Sequence, residues 1–217
     1  MNSQPDVKRS YDSPLRKAQA AATRRAIIDA AATAFIERGY VATSIETIAD
    51  AAGVSRATVF ASVGGKKELL KKAYDVALVG DDEPIPFPLR PASLAVRAEP
   101  DPRLFLVGYS GLLIDMYSRL APIYEAVRGA ASADPEVRDV FEAIVTERRI
   151  GAGNVVRDLL AKGTTLREGL DEDTAADILW VLIDAGLFHL LVHRRGWTKQ
   201  RFQAWLADSM QRQLLGD

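Results

Sequence analysis

The sequence predicts an all-α chain of about nine helices, and three observations carry that prediction. Apolar residues recur at helical spacing along most of the 217 residues, the periodic stretches are bounded by capping residues, prolines or glycines, and no stretch reads convincingly as a strand. Hydrophobic residues make up 48% and charged residues 26%, which excludes a disordered chain, a collagen-like repeat and a disulfide scaffold. With no cysteine, thiolate metal ligands and thiol nucleophiles are excluded as well. No run of about 18 apolar residues is evident, so no membrane span is expected. The N-terminal MNSQPDVKRSYDSP lacks the apolar stretch of a secretory signal, and the expected location is the cytoplasm.

Taken in order, residues 1–12 are polar and read as a flexible arm carrying Lys8 and Arg9. Ser13-Pro14 supplies a cap and a proline at the first helical position, and Gly39 supplies the stop, giving a first helix over about 14–38. Ile27, Ala30, Ala31, Ala34 and Phe35 form its apolar stripe. Thr43-Ser44-Ile45-Glu46 fits a capping box for a short helix, which Gly53 ends. Ser55 caps a second short helix through about Ser62. The pair Gly64-Gly65 precedes a fourth helix with Leu69, Leu70, Ala73, Tyr74, Ala77 and Leu78 on one face. Six of the ten prolines fall in 80–102, which excludes a long continuous helix and reads as a linker or extended loop with room for one short helical turn. Beyond it, 103–119 is apolar on nearly every side and reads as a buried helix, followed by a shorter one from Pro122 to Ala131. Asp134-Pro135-Glu136 starts a helix to about Lys162. Asp171-Glu172-Asp173 opens another over 172–194, and Thr198 caps the last. The expected domains are therefore the arm, a unit over 13–79, a linker over 80–102 and a body over 103–217.

Charge divides along the same line. Residues 1–72 hold 12 Lys+Arg against 7 Asp+Glu, while 73–217 hold 16 against 22. A basic front on an acidic body suits a front that meets a polyanion. The layout of that front adds the decisive detail. A short capped helix, a Gly53-Val54 corner and a second short helix beginning with small polar residues make a helix-turn-helix, which lays its second helix in the major groove of DNA.

The string IADAAGVSRATVFASVGGKKELL, preceded by a basic helix ending in Phe35-x-x-x-Gly39-Tyr40, resembles the TetR family of transcriptional regulators over residues 23–74. The resemblance implies that Arg56, Ala57 and Thr58, on a helix capped by Ser55, face the groove. Arg56 is the candidate reader of guanine, unless it meets phosphate instead. Thr43, Ser44 and Lys66 would meet phosphate at helix starts, with Arg24 on the basic first helix. Phe60 stands where the family commonly has a tyrosine, Val63 where it has an aromatic, and Ser62 near a common histidine. Fewer phosphate contacts are therefore expected from that turn, and more from Ser62, Lys66 and Lys67. Lys67, Lys71 and Lys72 also read as a solvated helix face.

For the body the resemblance implies a helical ligand-binding and dimerisation domain. Phe105, Tyr109, Met116, Tyr117, Tyr124, Phe141, Arg148, Trp180, Asp184, Phe188 and His189 are candidates for an apolar cavity with a few polar tips, though such stripes also serve as plain core. Asp184, within an apolar stretch, needs a partner, and a ligand amine or a core arginine such as Arg148 would supply it. Leu179, Leu182, Ile183, Gly186, Leu190, Phe202, Leu206, Met210 and Leu214 are candidates for a two-fold four-helix interface, or for burial within one chain. His189 and His193 are spaced to share a metal, but neither Cys nor an H-E-x-x-H pattern accompanies them, and no metal or cofactor is expected. Enzyme motifs fail on residues. A P-loop needs a glycine at Phe60 and Ser or Thr at Lys67, and neither a G-x-S-x-G nor a G-x-G-x-x-G is present. The expected partners are operator DNA, a small-molecule effector and a second copy of the chain, with no membrane. Non-specific DNA binding and a co-repressor role for the ligand are the alternatives.

Overall fold

A computed structural model describes residues 14–216. The expected arm with Lys8 and Arg9, and the cap Ser13, lie outside the described residues. Helix α1 (Pro14–Arg38) leads into α2 (Ile45–Ala52), α3 (Arg56–Ser62) and α4 (Lys66–Val79). Next come α5 (Pro91–Arg97), α6 (Pro102–Ala131), α7 (Pro135–Leu160), α8 (Glu172–Leu182), α9 (Ala185–Phe188) and α10 (Lys199–Leu214). A single 3-10 turn (Phe87–Leu89) precedes α5, and a π-type turn (His189–Arg194) continues α9. Among the described residues there is no strand, only one antiparallel bridge between Leu166 and Leu215 that ties the end of α10 to the turn after α7.

The front packs as the apolar spacing requires. Ile27, Ile28 and Phe35 of α1 bury against Ile48 of α2, Val59 of α3 and Leu69 and Leu70 of α4, all without exposure. Gly53 takes φ 67°, and its left-handed backbone lets α3 leave α2 at the corner. Helices α1 and α4 also pack on α6, so the core of the front runs into the core of the body. In the body α6 lies centrally, against α4, α5, α7 and α10.

Four expectations need correction. The cap of α2 is Ser44, whose hydroxyl accepts from the Thr47 N–H at 3.1 Å, not Thr43. Thr43 is buried, and its hydroxyl bridges the carbonyls of Gly39 (2.8 Å) and Ala34 (3.1 Å). Residues 102–131 form one helix, not two. Pro122 lies inside it, and packing on several sides holds the turn that proline weakens. Within 80–102 a two-turn helix forms, since Pro91 at its first position lacks only an N–H that would be free anyway. It lies close to α6 at Gly108, where an added Cβ would stand 3.2 Å from the Val96 side chain.

The helix expected over 172–194 is broken. Ile183 leaves helical geometry, and Asp184 turns extended to cap α9, accepting from the Gly186 N–H at 2.6 Å. By length and composition Glu172–Arg194 is apolar enough to cross a membrane, contrary to the reading of the sequence. The break at Asp184 and the packing of α8 against α7 and α10 make it part of the helical body instead.

Candidate nucleic-acid interface and ligand cavity

The first residues of α3 stand at the surface of the front, exposed among the described residues. Ser55 caps the helix through the Thr58 N–H at 3.1 Å, and its hydroxyl lies 2.9 Å from that of Thr58. Arg56 and Ala57 are exposed, and Arg56 makes no hydrogen bond or ion pair with the described residues. Val59, one turn on, is fully buried and fixes the helix on the core. Phe60 is half exposed, at 50%. Ser44 and Thr47 stand exposed or half-buried at the start of α2, their hydroxyls 3.0 Å apart. This face therefore offers one unpaired guanidinium, a short side chain beside it and two helix starts with free N–H groups, which favour an anion.

Three expected DNA contacts are placed differently. The Thr43 hydroxyl is committed to carbonyls, as above. Arg24 donates through Nε to Asp82 at 2.6 Å and through Nη1 to the Ser62 carbonyl at 2.6 Å. It thereby joins α1 to the last turn of α3 and to the segment after α4. Lys66 lies with Nζ 4.1 Å above the Tyr40 ring and donates to the Val41 carbonyl at 3.4 Å. Burial lowers its pKa, with the Asp134 carboxylate opposing. Lys66 thus braces the loop before α2.

In the body, a cavity of about 200 Å³ opens between α4, α6, α7 and the start of α9. Tyr109, Met116, Tyr117, Tyr124 and Arg148 line it, as their residue types suggested. A smaller chamber of about 90 Å³ adjoins it beneath α5, and Phe105 lines that one. Arg148 supplies the expected partner of Asp184, at 2.7 Å. The Tyr124 hydroxyl donates to the same carboxylate at 3.0 Å and accepts from Arg148 at 3.2 Å. Asp184 thus caps α9 with one oxygen and holds two side chains with the other. Burial raises the Tyr124 pKa, Asp184 adding to the effect and Arg148 opposing it. Tyr117 donates to the Ile183 carbonyl at 2.7 Å.

The other candidates lie behind or beside these walls. Phe141 packs on Tyr124, Trp180 lies under Arg148, and Phe188 is buried between Tyr117 and Phe202. His189 lines a separate open groove with Tyr40 and Gly129. Sequence reasoning missed Phe87, Pro88 and Gly151, which line both chambers. An aromatic among prolines, and a glycine in mid-helix, were the available signals.

Of the interface candidates, Leu179, Ile183, Phe202, Leu206, Met210 and Leu214 are buried within the chain itself. Leu182 and Gly186 are half-buried, and Leu190 is open, at 55% exposure. The stripe read as an interface is mostly internal core. On the same elements, the apolar side chains left open are Val181 and Leu190, with Ile178 and Trp205 half-buried.

Residues 27–73 match the family model described as bacterial regulatory proteins, tetR family. No curated protein matches the chain at a significant level. Among solved structures, NalD, the secondary repressor of the MexAB-OprM multidrug efflux pump in Pseudomonas aeruginosa, is 24% identical with a TM-score of 0.66, over 91% of this chain and 98% of NalD. The SmeT–triclosan complex is 20% identical with a TM-score of 0.66, over 90% of this chain and 93% of that one. A protein of Saccharomonospora viridis assigned to the transcriptional regulators, solved in complex with choline, is 21% identical with a TM-score of 0.63, over 89% and 98%. At these identities the likeness establishes the shared fold.

Proposed function

We propose that this chain, a member of the tetR family of bacterial regulatory proteins through its residues 27–73, is a homodimeric transcriptional regulator, a repressor released from its operator by a small molecule in the body. The exposed start of α3 carries this reading: Arg56 has no partner among the described residues and Ala57 is short, on a helix anchored by Val59. A guanidinium so placed can bind guanine O6 and N7 together. The caps Ser44 and Ser55 stand ready for phosphate. Thr43, Arg24 and Lys66 hold these elements in register rather than touching DNA.

A two-fold dimer sets two such helices one turn of DNA apart, about 34–36 Å. Val181 and Leu190 are the open apolar side chains offered to the partner. The walls of the larger cavity include Tyr74 and Leu78 of α4, so a molecule in it touches the helix that leads back to the reader. Ligand that binds the two arrangements of α4 with different affinity shifts the separation of the recognition helices. The neighbours solved with triclosan and with choline support a ligand site in a body of this fold.

The test is fluorescence anisotropy of the full chain on DNA from upstream of its own gene, with random competitor, at two salt concentrations. Competitor-resistant binding that saturates at an even number of chains per site is expected. Binding lost to competitor leaves only the electrostatic term and overturns operator reading. Arg56→Ala should cost about 1–3 kcal/mol at one operator position, while an equal loss on every sequence would make it a phosphate contact.

A further inference from the structure

The chemistry of the cavity walls specifies what fills them. Three of the four charged side chains lining the two chambers are held in close ion pairs. Arg148 is paired with Asp184 at 2.7 Å and Arg97 with Asp158 at 2.8 Å, while Glu147 stands open to solvent, 4.0 Å from a Lys71 that Asp75 already holds at 2.6 Å. An anionic ligand would lose its hydration and find no free counter-charge, and a cationic one would meet only the solvent-exposed Glu147. What remains unsatisfied is able to donate. Among the described residues the hydroxyls of Tyr74 and Tyr109 make no hydrogen bond, and Arg148 Nε is buried without a partner.

Gly151 is the second observation. It sits in the middle of α7, where glycine is a poor helix former, and it lines both chambers. A Cβ added there would meet nothing within 4 Å. The missing side chain therefore leaves the wall open where the chambers adjoin, between Tyr109 and the Phe87-Pro88 segment that also lines both.

Resting on the reading of the body as a ligand site, we infer that the two chambers take one elongated, uncharged, largely aromatic or alicyclic molecule carrying a hydrogen-bond acceptor, held by Tyr74 or Tyr109 and passing beside Gly151. The adjoining chambers set the elongation, the paired charges set the neutrality, and the donors set the acceptor.

Four compounds of common shape separate these terms: benzophenone (uncharged, with a carbonyl acceptor), diphenylmethane (no acceptor), 4-benzoylbenzoate (anionic) and (4-benzoylbenzyl)trimethylammonium (cationic). Equilibrium dialysis against the full chain should show benzophenone at least about tenfold tighter than either charged analogue. Diphenylmethane should bind about fivefold more weakly than benzophenone, the size of one net hydrogen bond. Irradiation should cross-link benzophenone to peptides from α6 and α7. Gly151→Leu should lose at least about tenfold in benzophenone affinity with the melting temperature unchanged or raised. The double variant Tyr74→Phe/Tyr109→Phe should abolish the preference for benzophenone over diphenylmethane. A charged analogue that binds best, undiminished binding by Gly151→Leu, or no binding by any compound would each overturn the inference. Upstream-DNA anisotropy on the same preparations separates the two readings. Intact DNA binding with no compound bound sinks the ligand class alone, whereas benzophenone binding that leaves DNA affinity unchanged sinks ligand-responsive regulation and keeps the class.

Discussion

Thr43 and Ser44 show how one position decides a role. Both are hydroxyl residues before a short apolar helix, and the spacing Thr43 to Glu46 satisfies the rule for a capping box. The choice between them is made from outside the helix, by the Ala34 and Gly39 carbonyls that close over Thr43. The capping-box spacing itself says nothing of those carbonyls. Thr43→Val keeps the shape but removes the one donor that the two carbonyls share, so it should cost about 1–3 kcal/mol in urea unfolding and leave the operator affinity of the folded protein unchanged. Arg24 follows the same logic: its place on a basic helix was legible, but its commitment to Ser62 and Asp82 depends on residues far along the chain. Arg56, by contrast, stands exposed at the start of its helix and meets no competing acceptor among the described residues. Gly151→Ala should raise stability by about 0.5–1 kcal/mol in thermal unfolding, because the helix gains propensity and the side chain meets open space.

Elements with both ends marked were read with their limits nearly right. α1, α3, α4, α7 and α10 begin at a cap, proline or glycine and run where the apolar spacing runs. The misjudged elements are those where tertiary structure overrides local preference. Pro122 reads as a break, yet α6 is held on several sides and continues through it. The stretch 172–194 reads as continuous, yet the Asp184 carboxylate gains a cap, Arg148 and Tyr124 by breaking it. The segment after α4 looked like a connector and proves to be a clamp. Burial raises the Asp82 pKa, but the hydrogen bonds and charges of Lys72 and Arg24 outweigh it and hold the carboxyl below its usual range. A depressed pKa means that the stabilisation is present above the unfolded value of about 3.9 and is lost as pH falls through the lower folded value. The stability difference between the native chain and Asp82→Asn, measured by thermal unfolding across that range, should be constant above about pH 4 and shrink below it. A difference that grows on acidification would show that the clamp is not ionic.

At the scale of the molecule, charge and proline placement divide the sequence into a basic front and an acidic body, while the packing of α1 and α4 on α6 runs one core through both. The stripes on α8 and α10 were legible as buried, but a stripe says only that a face is covered and not by what. Six of the nine residues assigned to a partner are covered by the chain itself. Replacing both Val181 and Leu190 by Asp tests what the remainder does. Sedimentation should then show monomers with unchanged helix content, and operator binding should fall to the non-specific level. Dimers that persist would move the interface elsewhere.

The clamp after α4 also bears on how the two halves can be exchanged between relatives. The natural place to cut would be Gly80, where α4 ends. Yet Asp82, just beyond it, holds Arg24 and Lys72 of the front, while Asp81 is gripped by Arg90 at 2.6 and 2.7 Å. A graft joined at Gly80 would leave the reader without its own latch, whereas one joined after α5 carries the latch along, so the transplantable unit is longer than the helix-turn-helix and its fourth helix.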